Sequence, residues 1–243
     1  MPASPPSPSS SPSSSWNEPE GLAARGTLIV LAGRGEHGGL YERFGRRLAF
    51  DAYRVVALGD PAADPSVLDQ AAKLLADESL PGPKVLVGSD TGARYAAHLA
   101  AEQTPGVDAL ILVGLPTAPW ESGSWDAEVQ ARTACTTHQG RLTNDPDFRR
   151  GALDAAVDLP ELRLDLLRVP VLALHGTDDT VSHLDQALSL YASHPGIRTV
   201  TFNAGRHDVL NDAQHRTAAA TVVLFLERLR LSPELPLIAE GLA

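Results

Sequence analysis

The chain has 243 residues, of which 43% are hydrophobic, which suits one α/β domain with a sizeable core. A formal net charge of −10 and a pI near 5.2 argue against partners such as nucleic acid or anionic membranes. The single cysteine, Cys135, leaves no intramolecular disulfide to form, which fits a reducing compartment. With neither an apolar run of about 18 residues nor a secretory signal pattern, we expect a cytoplasmic protein without a membrane span.

The N-terminal residues 1–24 are dominated by serine and proline. Such a composition buries too little apolar surface to offset the entropy of ordering, so it predicts a disordered tail. The remaining residues, 25–243, are expected to form the folded domain.

From Thr27 onward, short apolar runs alternate with segments of helical periodicity. The runs predict about six strands, over 27–32, 53–58, 85–87, 108–114, 170–176 and 197–203. Helices are predicted over 41–49, 66–77, 183–192 and 212–231 and directly after the third strand. Repeated strand–helix units indicate an α/β fold with a mostly parallel, doubly wound sheet. Residues 116–167 interrupt this alternation and predict a small helical cap insertion.

Residues 84–101 carry the most informative turn of the chain. An apolar run enters Gly88-Ser89-Asp90-Thr91-Gly92, and an alanine-rich helical pattern follows immediately. A strand that enters a helix through a turn with glycines on both sides of one residue is the nucleophile-elbow arrangement. The residue at the tip is commonly serine, but in this chain it is Asp90. Because ligands bind beyond the carboxyl ends of parallel strands, we expect the site here.

Four motifs together resemble the α/β-hydrolase superfamily over about 27–231, and within it the monoglyceride-lipase and lysophospholipase branch. They are AGRGEHGGLYERFGRRLA at 32–49, VGSDTGA at 87–93, HGTDDTV at 175–181 and NAGRHDVLND at 203–212. The resemblance implies an α/β-hydrolase fold and a triad in the chain order nucleophile, acid, histidine.

By position in these motifs, the resemblance implies catalytic roles for Asp90, Asp179 and His207. The histidine relays a proton, and the acid orients and stabilises it. Asp178 is the competing acid, and the register of the loop favours Asp179.

The resemblance also implies an oxyanion hole. Its donors are the backbone N–H groups of Thr91 and Arg34, in a loop that includes Gly33. The leading histidine of the family motif is Ala32 in this chain.

Aspartate at the tip of the elbow resembles the epoxide-hydrolase and haloalkane-dehalogenase branches, in which a carboxylate attacks carbon and forms an ester. The cap of this chain, however, has no tyrosine between residues 116 and 167, and Thr91 stands where the dehalogenases place tryptophan. Trp120 and Trp125 are candidates for the pocket lining, and Ser89 is a less favoured nucleophile.

Three functional hypotheses remain open at this stage. The first is a hydrolase of a small organic metabolite that uses Asp90 as covalent nucleophile on a bond of ester, epoxide or carbon–halogen type. The second is a lyase, cyclase or isomerase in which Asp90 is a general acid or base. The third is a catalytically silent small-molecule binder. A small-molecule substrate is the expected partner, without nucleic acid, cofactor or metal.

Overall fold

A computed structural model describes residues 13–121 and 123–239 of the chain. Within these residues, one sheet has seven strands in the order β1-β3-β2-β4-β5-β6-β7. Their bounds are β1 Ser14–Trp16, β2 Thr27–Leu31, β3 Arg54–Ala57, β4 Lys84–Ser89, β5 Ala109–Val113, β6 Val171–Gly176 and β7 Ile197–Phe202. Strands β2 to β7 pair in parallel, as the repeated strand–helix pattern predicts.

Helices cover both faces of this sheet. They are α1 Glu42–Phe50, α2 Ser66–Ala76, α3 Thr91–Ala101, α4 Trp125–Arg132, α5 Thr136–Asn144, α6 Leu184–Tyr191 and α7 His215–Leu231. Apolar residues of α1 and α7 pack on one face, and those of α2, α3 and α6 pack on the other. Strands β2, β4, β5 and β6 are buried along their whole length, because both of their faces are covered. The predicted α/β fold with its mostly parallel sheet is confirmed.

The cap follows β5 and contains α4, α5 and two short 3-10 turns, Ala152–Asp154 and Leu164–Leu166. It lies beyond the carboxyl end of β5, at the edge of the sheet where the sequence predicts the site. None of the helices within the described ranges has the length and apolar character required to cross a membrane.

Strand β1 is the main departure from the sequence prediction of a disordered tail over 1–24. It pairs antiparallel with β3, with Ser15 opposite Val56. Trp16 packs on α1 at Gly45, where an added Cβ would lie 2.0 Å from the indole ring. The serine- and proline-rich composition gives no sign of this pairing, because its partners are more than 25 residues away in the chain. Residues 1–12 lie outside the described residues.

Candidate active site

The elbow between β4 and α3 holds Asp90 in a strained backbone conformation. Its φ is +50° and its ψ is −125°, and its backbone N–H donates to the carbonyl of Val113 at 2.9 Å. The flanking glycines are required by close contacts. A Cβ on Gly88 would lie 2.5 Å from Cα of Ala93, and one on Gly92 would lie 2.3 Å from the carbonyl oxygen of Leu31. The tight crossing of strand and helix therefore presents the Asp90 carboxylate at the end of the sheet.

Asp90, His207 and Asp179 form a continuous hydrogen-bonded chain. Nε2 of His207 lies 3.2 Å from Oδ1 of Asp90, and Nδ1 lies 2.8 Å from Oδ2 of Asp179. All three residues are at most 3% exposed. The other oxygen of Asp179 accepts the backbone N–H groups of Val181 and Ser182 at 2.9 Å each, which fixes the carboxylate. Loops after three different strands thus place the three side chains together.

The neighbouring Asp178 points elsewhere. It is exposed, and its carboxylate accepts the hydroxyl of Thr177 at 3.1 Å. Of the two acids that the sequence leaves in competition, Asp179 is therefore the one in contact with His207.

The side chain of Arg34 is the feature that the sequence prediction missed. The sequence predicts a role for its backbone N–H only, and that group donates to Oδ2 of Asp90 at 2.9 Å. In addition, Nε donates to Oδ2 and Nη2 donates to Oδ1 of the same carboxylate, both at 2.8 Å. Arg34 is 5% exposed, so this is a buried bidentate ion pair. The signal in the sequence was the cation in the glycine-rich loop.

The cap holds Arg34 in place through two contacts. Nη1 of Arg34 donates to the carbonyl of Leu153 at 2.7 Å, and Arg132 donates to the carbonyl of Arg34 at 2.8 Å. Arg132 is itself buried between Glu36 at 3.0 Å and Glu128 at 2.9 Å. Charged groups of the cap are thereby linked to the loop whose backbone N–H, at Arg34, donates to Asp90.

The charges around His207 set the protonation of the site. Burial alone raises the pKa of Asp90, but the charges and hydrogen bonds of Arg34 and His207 bring it well below its ordinary value. Burial lowers the pKa of His207, but the two carboxylates outweigh it and raise the pKa to about 10. The pKa of Asp179 is lowered, against burial, by His207. At neutral pH the site therefore holds two anions and two cations, with Arg34 as the second cation.

A cavity of about 260 Å³ lies between the cap and the end of the sheet. Arg34 and Arg94 line it together with apolar cap residues, including Trp120 and Leu153. Asp90 and His207 are not among its lining residues. Arg34 both contacts the Asp90 carboxylate and lines the cavity.

Three further residues that the sequence singled out, Thr91, Gly33 and Ser89, lie in or beside the elbow and the loop after β2. Thr91 is the first residue of α3, and its buried hydroxyl has no hydrogen-bond partner among the described residues. Gly33 lies against Asp90, because an added Cβ would be 3.0 Å from the Cβ of Asp90. The hydroxyl of Ser89 interacts with that of Tyr41. None of these positions conflicts with a loop built around the Asp90 carboxylate.

The two cap tryptophans differ in position. Trp120 lines the cavity. Trp125 packs instead against Phe148, with ring centroids 5.7 Å apart, and so belongs to the packing of the cap.

One group of side chains in the described ranges has ligand-type atoms within 4.8 Å of one another, namely His37, Asp145 and Asp147. Both ring nitrogens of His37 are already engaged, Nδ1 by the backbone N–H of Gly39 at 3.2 Å and Nε2 by Asp145 at 3.0 Å. We assign no cation to this group.

No protein-family model matches the chain, and no curated protein is significantly similar to it in sequence. Solved structures do match. A soluble variant of monoglyceride lipase from Saccharomyces cerevisiae is 13% identical, with a TM-score of 0.70 over 88% of this chain and 90% of that one. Monoacylglycerol lipase from Paleococcus ferrophilus is 15% identical, with a TM-score of 0.68 over 89% and 98%. Proline iminopeptidase from Mycobacterium smegmatis is 15% identical, with a TM-score of 0.64 over 92% and 98%. At such low identity, these similarities show the α/β-hydrolase fold and leave the activity to be argued from the site.

Proposed function

We propose that the protein is a hydrolase of a small organic metabolite, with Asp90 as covalent nucleophile, His207 as base and Asp179 as orienting acid. The observation that carries this proposal is that each oxygen of the Asp90 carboxylate has its own further partner, besides the Arg34 guanidinium that contacts both. Oδ2 accepts the backbone N–H of Arg34 at 2.9 Å, and Oδ1 lies 3.2 Å from His207. One oxygen is thus at a backbone donor suited to an oxyanion, and the other is on the side of the base.

In the first step, a lone pair on Oδ1 of Asp90 attacks a saturated carbon of the substrate. The bond from that carbon to its leaving group breaks, with its electron pair departing on the leaving group. For an epoxide, the ring oxygen takes the Nε2 proton of His207. The products are an ester of Asp90, an alcohol group on the substrate and a neutral histidine.

In the second step, His207 removes a proton from water, and the hydroxide adds to Cγ of the Asp90 ester. Negative charge develops on Oδ2, next to the backbone N–H of Arg34. The bond from Cγ to the substrate oxygen then breaks. The second alcohol leaves with the proton of the added hydroxyl group, and Asp90 returns as a carboxylate that contains one oxygen from water.

The charges of the site suit this sequence. In the free protein two carboxylates raise the pKa of His207 to about 10, so the imidazole is protonated and is no base. Formation of the ester removes the negative charge of Asp90, and the pKa of His207 falls as a result. The histidine thus becomes a base only after the first step.

The same charges count against the second hypothesis, in which Asp90 is a general acid or base. Its pKa is well below the ordinary value, so Asp90 carries no proton to donate and is a weak base at neutral pH. A low pKa does not prevent a carboxylate from attacking carbon.

The test is one turnover in ¹⁸O-water with enzyme in excess over a panel of epoxides, alkyl halides and esters, followed by mass spectrometry of the Asp90 peptide. We expect ¹⁸O in the Asp90 carboxylate and unlabelled oxygen in the first product. In His207→Ala, the ester formed from an alkyl halide, whose leaving group needs no proton, should accumulate as a stable mass increase, whereas Asp90→Asn should acquire none. Product formation without label in Asp90 would overturn covalent catalysis and favour the acid–base hypothesis.

A further inference from the structure

The carboxylate of Asp90 is masked by Arg34. Two side-chain N–H groups and one backbone N–H of this single residue donate to its two oxygens, at 2.8 to 2.9 Å. The lone pairs that would attack a substrate are therefore engaged by a buried cation, and a carboxylate held in this way is a poor nucleophile. For catalysis, the guanidinium has to exchange Asp90 for another partner.

The cavity beside Arg34 contains a second cation with an unused donor. Arg94 lines the same cavity, and its Nη2 donates to the carbonyl of Pro160 at 2.7 Å. Its Nε is buried and has no hydrogen-bond partner among the described residues. The Arg94 guanidinium therefore has donors that Pro160 does not use. Burial lowers the pKa of Arg94, with no carboxylate opposing the shift.

The other lining groups limit the charge of such an acceptor. Glu121 and Asp154 also line the cavity, but both are exposed and are screened by solvent. Arg34 lies at the buried end of the cavity, where electrostatic interactions are stronger. Anionic groups at the mouth and cations deeper inside favour a single negative charge on a small molecule and disfavour a polyanion.

The apolar walls fit the rest of such a molecule. Trp120, Leu153 and Val157 are among the lining residues. The volume of about 260 Å³ is below the roughly 300–1,000 Å³ typical of pockets for drug-sized ligands. The space therefore suits a compact ligand with an apolar body.

Resting on the proposed function, we infer that the substrate is a small organic monoanion whose carboxylate pairs with Arg34 and Arg94 in this cavity and thereby frees Asp90 to attack. A carboxylate can replace Asp90 on the planar guanidinium with the same bidentate geometry. A neutral molecule offers no such replacement, so Arg34 stays on Asp90. Arg34 is in this way a specificity-determining residue through its side chain and an oxyanion donor through its backbone.

The binding test uses two unreactive probes of nearly identical shape, phenylacetate and phenylacetamide, measured by isothermal titration calorimetry. We expect phenylacetate to bind at least ten-fold more tightly than the amide. Arg34→Gln should abolish this preference, Arg94→Gln should reduce it, and Arg34→Lys should retain part of it if the variant folds. Arg46→Gln, an exposed control on α1, should leave it unchanged. Equal affinities for the two probes in the unmodified protein would overturn the inference.

The reactive test uses α-bromophenylacetate and its neutral amide on the His207→Ala variant, because bromide leaves without a proton from His207, with mass spectrometry of the Asp90 peptide. We expect the acid to label Asp90 at least ten-fold faster than the amide, and Arg34→Gln in the same background to remove the difference. Equal labelling by the acid and the amide would overturn anion recognition while leaving Asp90 as the nucleophile. Selective binding of phenylacetate without any label on Asp90 would support the anion site and overturn covalent catalysis.

Discussion

Nδ1 of His207 lies 2.8 Å from Oδ2 of Asp179, and the second oxygen of Asp179 is held by two backbone N–H groups. This arrangement requires that Nδ1 carry a proton, because a carboxylate oxygen with a lowered pKa can only accept. Nε2 is then the nitrogen that faces Asp90. The orientation of His207 therefore depends on an acid whose own position is fixed by the backbone.

Asp179→Asn keeps an oxygen for the backbone N–H groups of Val181 and Ser182 and places an amide against His207. An amide N–H donates to Nδ1 and cannot accept a hydrogen bond from it. The histidine is then held in the tautomer that carries its proton on Nε2 instead of Nδ1. We expect the rate of hydrolysis of the ester on Asp90 to fall by about 10³ to 10⁴. The measurement is the decay of that ester by mass spectrometry after a single labelling step.

Asp178→Asn is the matched control for this substitution. The residue is one position away and exposed, and its carboxylate accepts the hydroxyl of Thr177. We expect a change of less than about two-fold, since exposed substitutions of this kind have small effects. If the two variants behave alike, Asp179 is not the orienting acid.

The raised pKa of His207 makes the stability of the protein depend on pH. The folded state favours the protonated imidazole, with a pKa of about 10 against an ordinary 6.5. The stabilisation is therefore complete below about pH 6.5 and is lost as the pH rises toward 10. We expect the free energy of unfolding to decrease by about 2 to 5 kcal/mol over this interval, measured by urea denaturation.

Other groups also titrate in this interval, so the comparison is made with His207→Gln. This variant lacks the imidazole, and the difference between the two pH profiles isolates its contribution. Parallel profiles would show that the imidazole is already neutral in the folded protein.

Much of the site was predictable from local pattern, because Asp90, Asp179 and His207 each follow a buried strand in a recognisable loop. Parallel strands then bring their carboxyl ends to one edge of the sheet, whatever the details of packing. The contact of the Arg34 guanidinium with Asp90 was not predictable in this way. Its direction depends on contacts with Leu153 and Arg132 in the cap, more than 90 residues further along the chain. Likewise, the three residues of strand β1 are too few to show a periodicity, and they are recognised as a strand only by their pairing with β3.

The crossing of β4 and α3 leaves no room for a side chain at Gly92. In Gly92→Ala, the new Cβ would lie 2.3 Å from the carbonyl oxygen of Leu31, which belongs to the central strand β2. Because backbone atoms on both sides would have to move, we expect a loss of about 3 kcal/mol or more in the free energy of unfolding. The measurement is urea denaturation followed by circular dichroism.

Gly140→Ala is the matched control, since Gly140 lies within α5, is exposed and has no atom within 4 Å of an added Cβ. Alanine is the better helix former, so we expect this variant to gain about 0.5 to 1 kcal/mol. A similar loss in both variants would contradict the close contact as the cause.

Arg132 is a buried cation between two buried carboxylates, Glu36 and Glu128. Arg132→Met leaves both acids without their cation, and we expect a loss of about 3 to 5 kcal/mol in the free energy of unfolding. Arg46→Met removes an exposed pair with Glu42 and should cost less than about 0.5 kcal/mol. Denaturant titrations of the two variants at neutral pH provide the comparison, and equal losses would show that the buried cluster adds no special stability.

Strand β1 has a practical consequence for shortened versions of the protein. Residues 1–24 have the composition of a disordered tail, which is a common reason for removing a segment. A chain that begins at residue 25, however, lacks the antiparallel partner of β3. The free backbone groups of β3 would then be open to pairing with a strand of another molecule. Without Trp16, the surface of α1 at Gly45 would also be uncovered. We expect such a chain to self-associate with increasing concentration, whereas one that begins at residue 13 should not, as light scattering of the two proteins can establish.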